Sequence, residues 1–298
     1  MMHIPVLLHE VIAVLDPKPG DFMIDGTVDG GGHARAIIER IMPGGMFLGI
    51  DLDAKLIAQT KKAIIEKRKT EKLFFVCGNY ADLPEIVRKE KLPKANGLLL
   101  DLGFSSEQLA ASNRGFSFGE AARNEPLLMT YSDDREPVRD IIRRLSEKEL
   151  ADVIYEYGGE RRSRQIAKAI KERGRRRRIE TAGDLADIVR EALPGNYEHG
   201  RINPATRTFQ ALRIYANDEL GNVERVLGGL VDIVAPGGRV AVITFHSLED
   251  RIVKVAFQNL IKTHQAEAIY KKPVTAAREE IQENPRSRSA KLRAIIMK

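Results

Sequence analysis

Asp25-Gly26-Thr27-Val28-Asp29-Gly30-Gly31-Gly32-His33 follows the short apolar run Phe22-Met23-Ile24, and residues 34–41 beyond it carry apolar side chains at helical spacing. A buried strand, a glycine-rich turn and a helix start together form the pattern of a nucleotide-type site. Glycine lets a backbone approach a ligand that any Cβ would hold off. Three in succession weaken a helix start, and the sequence offers no packing use for them. A second apolar run, Met46-Phe47-Leu48-Gly49-Ile50, ends in Asp51, where an acid can accept hydrogen bonds from both hydroxyls of a ribose.

The alternation continues outward from this stretch. Residues 53–69 and 82–91 read as helices, the second with Asp82 as N-cap. Residues 73–76 form a third strand ending at Gly78-Asn79-Tyr80, and residues 97–100 a fourth ending in Asp101. Strands alternating with helices predict an α/β fold with a doubly wound parallel sheet, whose ligands bind beyond the carboxyl ends of the strands. The glycine turn, Asp51, Tyr80 and Asp101 all fall at such ends. After Asp101 the pattern stops. Residues 103–134 read as a long loop, followed by helices at 139–145, 147–157, 161–173 and 182–192. Ser146 with Glu149 makes a capping-box pattern. These shifts predict an α/β domain in two parts, 1–103 and 203–298, around a mostly helical inserted domain at 104–202. The second part reads as helices at 205–220 and 223–234, a turn at 235–238, a central strand at 239–245, His246, and a helix at 249–261. Residues 268–271 and 292–297 suggest a terminal strand pair, with the charged segment 276–289 expected to be mobile.

Composition narrows the class. Of 298 residues, 43% are hydrophobic and 30% charged, which is ordinary for a globular protein. Cys77 is the single cysteine, so an intramolecular disulfide and a cysteine metal cluster are excluded. It follows an apolar run, where a buried, inert thiol is the default expectation. There is no secretory-type leader and no run of membrane-spanning length, so a cytoplasmic location is expected. The net charge is +6, yet the window 160–178 alone carries +8. So concentrated a basic stretch points to a polyanion such as nucleic acid.

Two cofactor classes suit a strand, a glycine turn and an acidic strand end: a dinucleotide and S-adenosyl-L-methionine. Gly26-x-x-x-Gly30-Gly31-Gly32-His33 departs from the dinucleotide spacing, and Asp25 and Asp29 would repel a pyrophosphate. A sulfonium, being positive, suits that acidic surround. Asp101 either orients a target amine, with Phe104 as a stacking ring, or contacts the donor alone. His246 is a structural hydrogen-bonder, an RNA contact or a proton acceptor. No metal-ligand spacing and no nucleophile–base pairing are visible.

Several long motifs occur in order: His3-Ile4-Pro5-Val6-Leu7-Leu8-His9-Glu10, the turn ending Gly31-Gly32-His33, Asp101-Leu102-Gly103-Phe104-Ser105-Ser106-Glu107-Gln108-Leu109, and Arg114-Gly115-Phe116-Ser117-Phe118. Asn203-Pro204-Ala205-Thr206-Arg207-Thr208-Phe209-Gln210-Ala211-Leu212-Arg213 and Phe245-His246-Ser247-Leu248-Glu249-Asp250-Arg251 follow. By these the chain resembles the MraW family, the ribosomal small-subunit methyltransferase H family, which methylates N4 of a cytidine in the decoding region of 16S ribosomal RNA. The resemblance implies a class I, Rossmann-like, S-adenosylmethionine-dependent methyltransferase fold with a helical inserted domain. It also implies cofactor contacts at Gly31, Gly32, His33, Asp51, Tyr80, Asp101 and Gln108, with Asp101 at the catalytic centre, and 16S ribosomal RNA within the small subunit as partner. Asp29 stands where the family usually has glycine, Leu128, Thr130 and Tyr131 replace Asp, Arg and Met, and Asn203 replaces His. A methyltransferase acting on a protein or small molecule would use the same site. A non-catalytic ribosome-assembly factor would carry it as a vestige.

Overall fold

Runs that are apolar on both faces become interior strands of a parallel sheet, because helices cover each side. The computed structural model describes residues 5–65, 72–102, 113–195, 197 and 203–298. In chain order the first elements are α1 (Leu8–Leu15), β1 (Phe22–Asp25), α2 (Gly32–Ile41), β2 (Met46–Asp51), α3 (Ala54–Ile65), β3 (Leu73–Cys77), α4 (Leu83–Lys89) and β4 (Ala95–Asp101). Five helices come next: α5 (Val138–Arg144), α6 (Glu147–Gly158), α7 (Ser163–Arg176), α8 (Ala182–Ala192) and α9 (Thr206–Asn217). The chain then adds α10 (Glu219–Gly228), α11 (Leu230–Ile233), β5 (Val234–Thr244), α12 (Ser247–Lys262), β6 (Ala266–Ala268), α13 (Arg278–Glu283) and β7 (Lys291–Met297).

The seven strands form one sheet in the order β3-β2-β1-β4-β5-β7-β6. β1 to β5 run parallel, and β7 enters antiparallel between β5 and β6. Adjacent residues serve opposite faces, as the period of two requires. Ile24, Leu48, Leu98, Leu100, Val240 and Val242 pack with Leu83, Val226 and Val253. Met23, Phe47, Leu99 and Ala241 pack on the other side with Val11, Ile37 and Ile57. This is the doubly wound α/β architecture expected from the sequence. No helix among the described residues is long and apolar enough to cross a membrane.

The chain divides into one unit of Met1–Ser105 with Leu220–Lys298 and a second of Ser106–Glu219. The expected boundary after residue 202 is therefore too early. α9 joins the helical unit, where Phe209, Leu212 and Ala216 share a core with Leu150, Ile154, Ile166 and Leu185. Asp218 in the left-handed conformation, φ 51°, ends α9 at the true boundary. The Ser146–Glu149 capping box is present in full. Three smaller expectations change. Residues 276–289 hold α13 and a 3-10 turn with buried Asn284 and Ser287. The strand paired with β7 is Ala266–Ala268. Cys77 is exposed, because β3 is an edge strand and Cys77 is its last residue.

Leu212→Ala should destabilise the protein by about 2–5 kcal/mol in urea titration, the range for deleting buried leucine atoms. Tyr155→Ala on the exposed face of α6 should stay within about 0.5 kcal/mol.

Candidate active site

Parallel strands bring their carboxyl ends to one rim, and this chain places an acid at three of them. Asp25 closes β1, Asp51 closes β2 and Asp101 closes β4, while Tyr80 starts the 3-10 turn that follows β3. All four lie in the first unit. Asp25 is fully buried. Its Oδ1 accepts the Thr27 amide at 3.1 Å, but Oδ2 has no partner. Thr27 Oγ1 in turn accepts the Asp101 amide at 2.6 Å, tying the β1 and β4 ends together. Asp51 accepts the Asp29 amide on Oδ2 at 2.8 Å and the Asp53 amide on Oδ1 at 2.9 Å. Each oxygen retains a second lone pair for a ligand hydroxyl.

Burial disfavours charge, and neighbouring carboxylates disfavour it further. Desolvation therefore raises Asp25 to about 7, with the fields of Asp51 and Asp29 adding to it against the Thr27 hydrogen bonds. Desolvation likewise raises Asp51 to about 6, opposed by its two amide donors. A buried carboxylate with an oxygen unsatisfied is costly. A cationic ligand at this rim would satisfy it. That chemistry fits a sulfonium or ammonium and opposes a pyrophosphate.

The glycines of the turn have a packing role that the sequence conceals. A Cβ on Gly31, at φ +75°, would sit 2.5 Å from Thr60 Cγ2, and one on Gly32 would sit 2.9 Å from Pro5. α3 and the N-terminal arm thus close on the turn, so these glycines serve close packing as well as any ligand. Asp29 adopts φ 46°, which explains the glycine usual at that place: glycine enters this region freely, and Asp is among the few others that tolerate it.

Other sequence expectations sort as follows. His33 is buried at the start of α2, with its Nε2 3.0 Å from the Val6 carbonyl oxygen and its Nδ1 3.7 Å from Asp101 Oδ2. His246 is the N-cap of α12. Its Nδ1 accepts the Glu249 amide and its Nε2 lies 3.0 Å from Glu249 Oε1, which gives it a structural hydrogen-bonding role. Gln108 and Phe104 lie outside the described residues. Thr130 accepts Arg114, and Tyr131 stacks on Phe116 and donates to Glu219 at 2.8 Å. Asn203 Oδ1 accepts the Ala205 amide at 3.0 Å in the turn that precedes α9. Thr130, Tyr131 and Asn203 thus make contacts within the helical unit. Asp25, which the sequence shows only as part of an acidic surround, holds the same strand-end place on β1 as Asp51 and Asp101 hold on their strands.

The helical unit carries a second candidate surface. A groove of about 380 Å³ between α5 and α7 is lined by Arg139, Arg143, Lys171, Arg175 and Arg178 over a floor of Ile142, Ile170 and Ile179, with Asp140 and Glu180 at its edge. Arg139 and Arg143 pair with Asp140, and Lys171 donates to the Ile142 and Arg143 carbonyls. Among the described residues Arg175 and Arg178 enter no ion pair. Five cations against two acids leave it net positive, a surface whose charge suits an anion.

The raised Asp25 pKa fixes the sign of a stability effect. Its neutral form is favoured in the folded state, so the stability it contributes is complete below about pH 4 and is lost as pH rises through about 7. Asp25→Asn should thus melt higher than wild type at pH 8, with the gap closing towards pH 4 in thermal denaturation.

The model described as the MraW methylase family matches residues 1–298. Ribosomal RNA small subunit methyltransferase H of Syntrophus aciditrophicus is 42% identical, covering 98% of this chain and 96% of that protein. The proteins of the same name from Deinococcus radiodurans and Thermotoga neapolitana are 44% and 43% identical, each covering 98% of this chain and 88% and 95% of their own. Matched along its whole length and more than two-fifths identical to these relatives, this chain belongs to the MraW methylase family.

Proposed function

We propose that this protein transfers a methyl group from S-adenosyl-L-methionine to the exocyclic N4 amine of a cytidine in the decoding region of 16S ribosomal RNA. The observation that carries the reading is the acidic rim, above all the buried, unpartnered Asp25 oxygen, in a chain whose relatives are named as small-subunit ribosomal RNA methyltransferases. The donor supplies an electrophilic methyl carbon on a positively charged sulfur. Asp25 faces the donor's positive charge, Asp51 accepts from its ribose hydroxyls, and Tyr80 lies beside its adenine. The first-turn amides of α2, at Gly32 and His33, have no helical acceptor and suit its carboxylate.

A cytosine amine is a poor nucleophile because its lone pair is delocalised into the ring. An acceptor at the N–H orients that amine towards the methyl carbon, and Asp101 at the end of β4 serves as that acceptor. The base must leave any stack to reach the rim. Backbone phosphates of the RNA are held by the groove of Arg139, Arg143, Lys171, Arg175 and Arg178, with Arg175 and Arg178 as its uncommitted charges. A ribosomal RNA substrate makes the cytoplasm the site of action.

Mass spectrometry of ribosomal nucleosides from cells with and without the protein tests this directly. N4-methylated cytidine should disappear without it, and an unchanged level would overturn the assignment. Arg175→Ala with Arg178→Ala should weaken RNA binding and flatten its salt dependence by about 0.7 per lost phosphate contact, leaving donor affinity as it was. Donor affinity should itself fall as pH drops from 8 to 5.5, because Asp25 and Asp51 lose charge near 7 and 6. Calorimetry across that range measures it.

A further inference from the structure

The imidazole of His33 lies between a carbonyl and a carboxylate. Its Nε2 is 3.0 Å from the Val6 carbonyl oxygen. A carbonyl only accepts, so Nε2 carries a proton. Nδ1 faces a second acceptor, Asp101 Oδ2, at 3.7 Å, an ion-pair separation for a ring that carries a proton on Nδ1 as well, with the His33 side chain 7% exposed and that of Asp101 15% exposed. The carbonyl that fixes the ring is itself fixed. Leu7, next in the chain, is buried at φ 54°, a conformation expensive for leucine. Its amide donates to Glu280 Oε1 of α13 at 2.7 Å. Pro5 seats the arm against Gly32.

From this chain of contacts we infer that His33 is a positioning residue for Asp101: its ring, clamped by the Val6 carbonyl through the Leu7–Glu280 hydrogen bond, sets the orientation of the carboxylate that receives the target amine. The inference rests on the proposed function only in giving Asp101 an amine to receive. The side chain of His33 acts on Asp101, while any contact of this residue with the donor is left to its backbone. Asp101 is then held from two sides, by Thr27 on its amide and by His33 on its carboxylate. A displaced acceptor loses the amine alignment while Gly31, Gly32, Asp51 and Tyr80 still hold the donor.

The test uses the full chain, S-adenosyl-L-methionine, and small subunits lacking the modification. His33→Gln should lower kcat by about 10- to 100-fold, the scale of a misaligned reacting group, with donor Kd from calorimetry changing less than about threefold. A fall in donor affinity matching the fall in kcat would overturn the inference. Glu280→Ala should lower kcat in the same sense, and Glu280→Gln should restore it, because an amide oxygen accepts the same Leu7 hydrogen bond. Failure of that rescue counts against the clamp. Nitrogen-15 spectra give a readout free of turnover. His33 should show protons on both Nε2 and Nδ1, and Asp101→Asn should shift its Nδ1 signal. A bare Nε2, or an Nδ1 signal indifferent to Asp101, sinks the pairing. Should wild-type protein transfer no methyl group at all, the functional reading has failed, and the spectra alone decide whether His33 and Asp101 are coupled.

Discussion

Withdrawing a carboxylate from water without giving both its oxygens a partner is costly, and the candidate site is organised around one such group. Asp25 sits at the end of a strand whose neighbours on both sides are apolar and closed to solvent. Its backbone is committed to the sheet, so the side chain cannot turn out to water. Thr27 satisfies one oxygen and carries the connection on to Asp101. The other is left without a partner. A fold tolerates such a group when a ligand completes it. Positive charge is the complement required, which separates this rim from a phosphate-binding turn of similar outline.

Much of the fold is legible in the sequence because it rests on short-range periodicity. Strand runs apolar on both faces, and acids or glycines immediately after them, announce a parallel sheet and the edge where ligands meet it. The capping box at Ser146 and the helices around it are equally local. The boundary between the units is not. Phe209, Leu212 and Ala216 declare that α9 has an apolar stripe, but a stripe does not say which core receives it. Cys77 misleads for a related reason: an apolar run does not tell an edge strand from a central one.

The site divides along the same line. Asp51 and Asp101 are readable as strand-end acids. Asp25 has the same position but hides among the residues of the glycine turn. The glycines look like an approach for a ligand, and only the fold reveals Thr60 and Pro5 filling the space beside them. Those two come from a helix later in the chain and from the N-terminal arm, so no window around the turn contains them. Of the roles open to His246 in the sequence, the fold displays the structural one, a helix cap whose reciprocal partner is Glu249, three positions on. The cationic groove of the helical unit is foreshadowed by the charge count. Its hydrophobic floor needs α5 and α7 side by side.

The bond from the Leu7 amide to Glu280 spans 273 positions of sequence. A polypeptide is made from its amino end, so the arm exists long before the residue that fastens it. β7, which slots between β5 and β6, arrives later still. During synthesis the glycine turn, α2 and Asp101 are all present while the clasp over them is missing. The arrangement defers completion of the site until α13 has been made, and a chain cut short before α13 would keep most of its sheet and yet lack the fastening of its first turn.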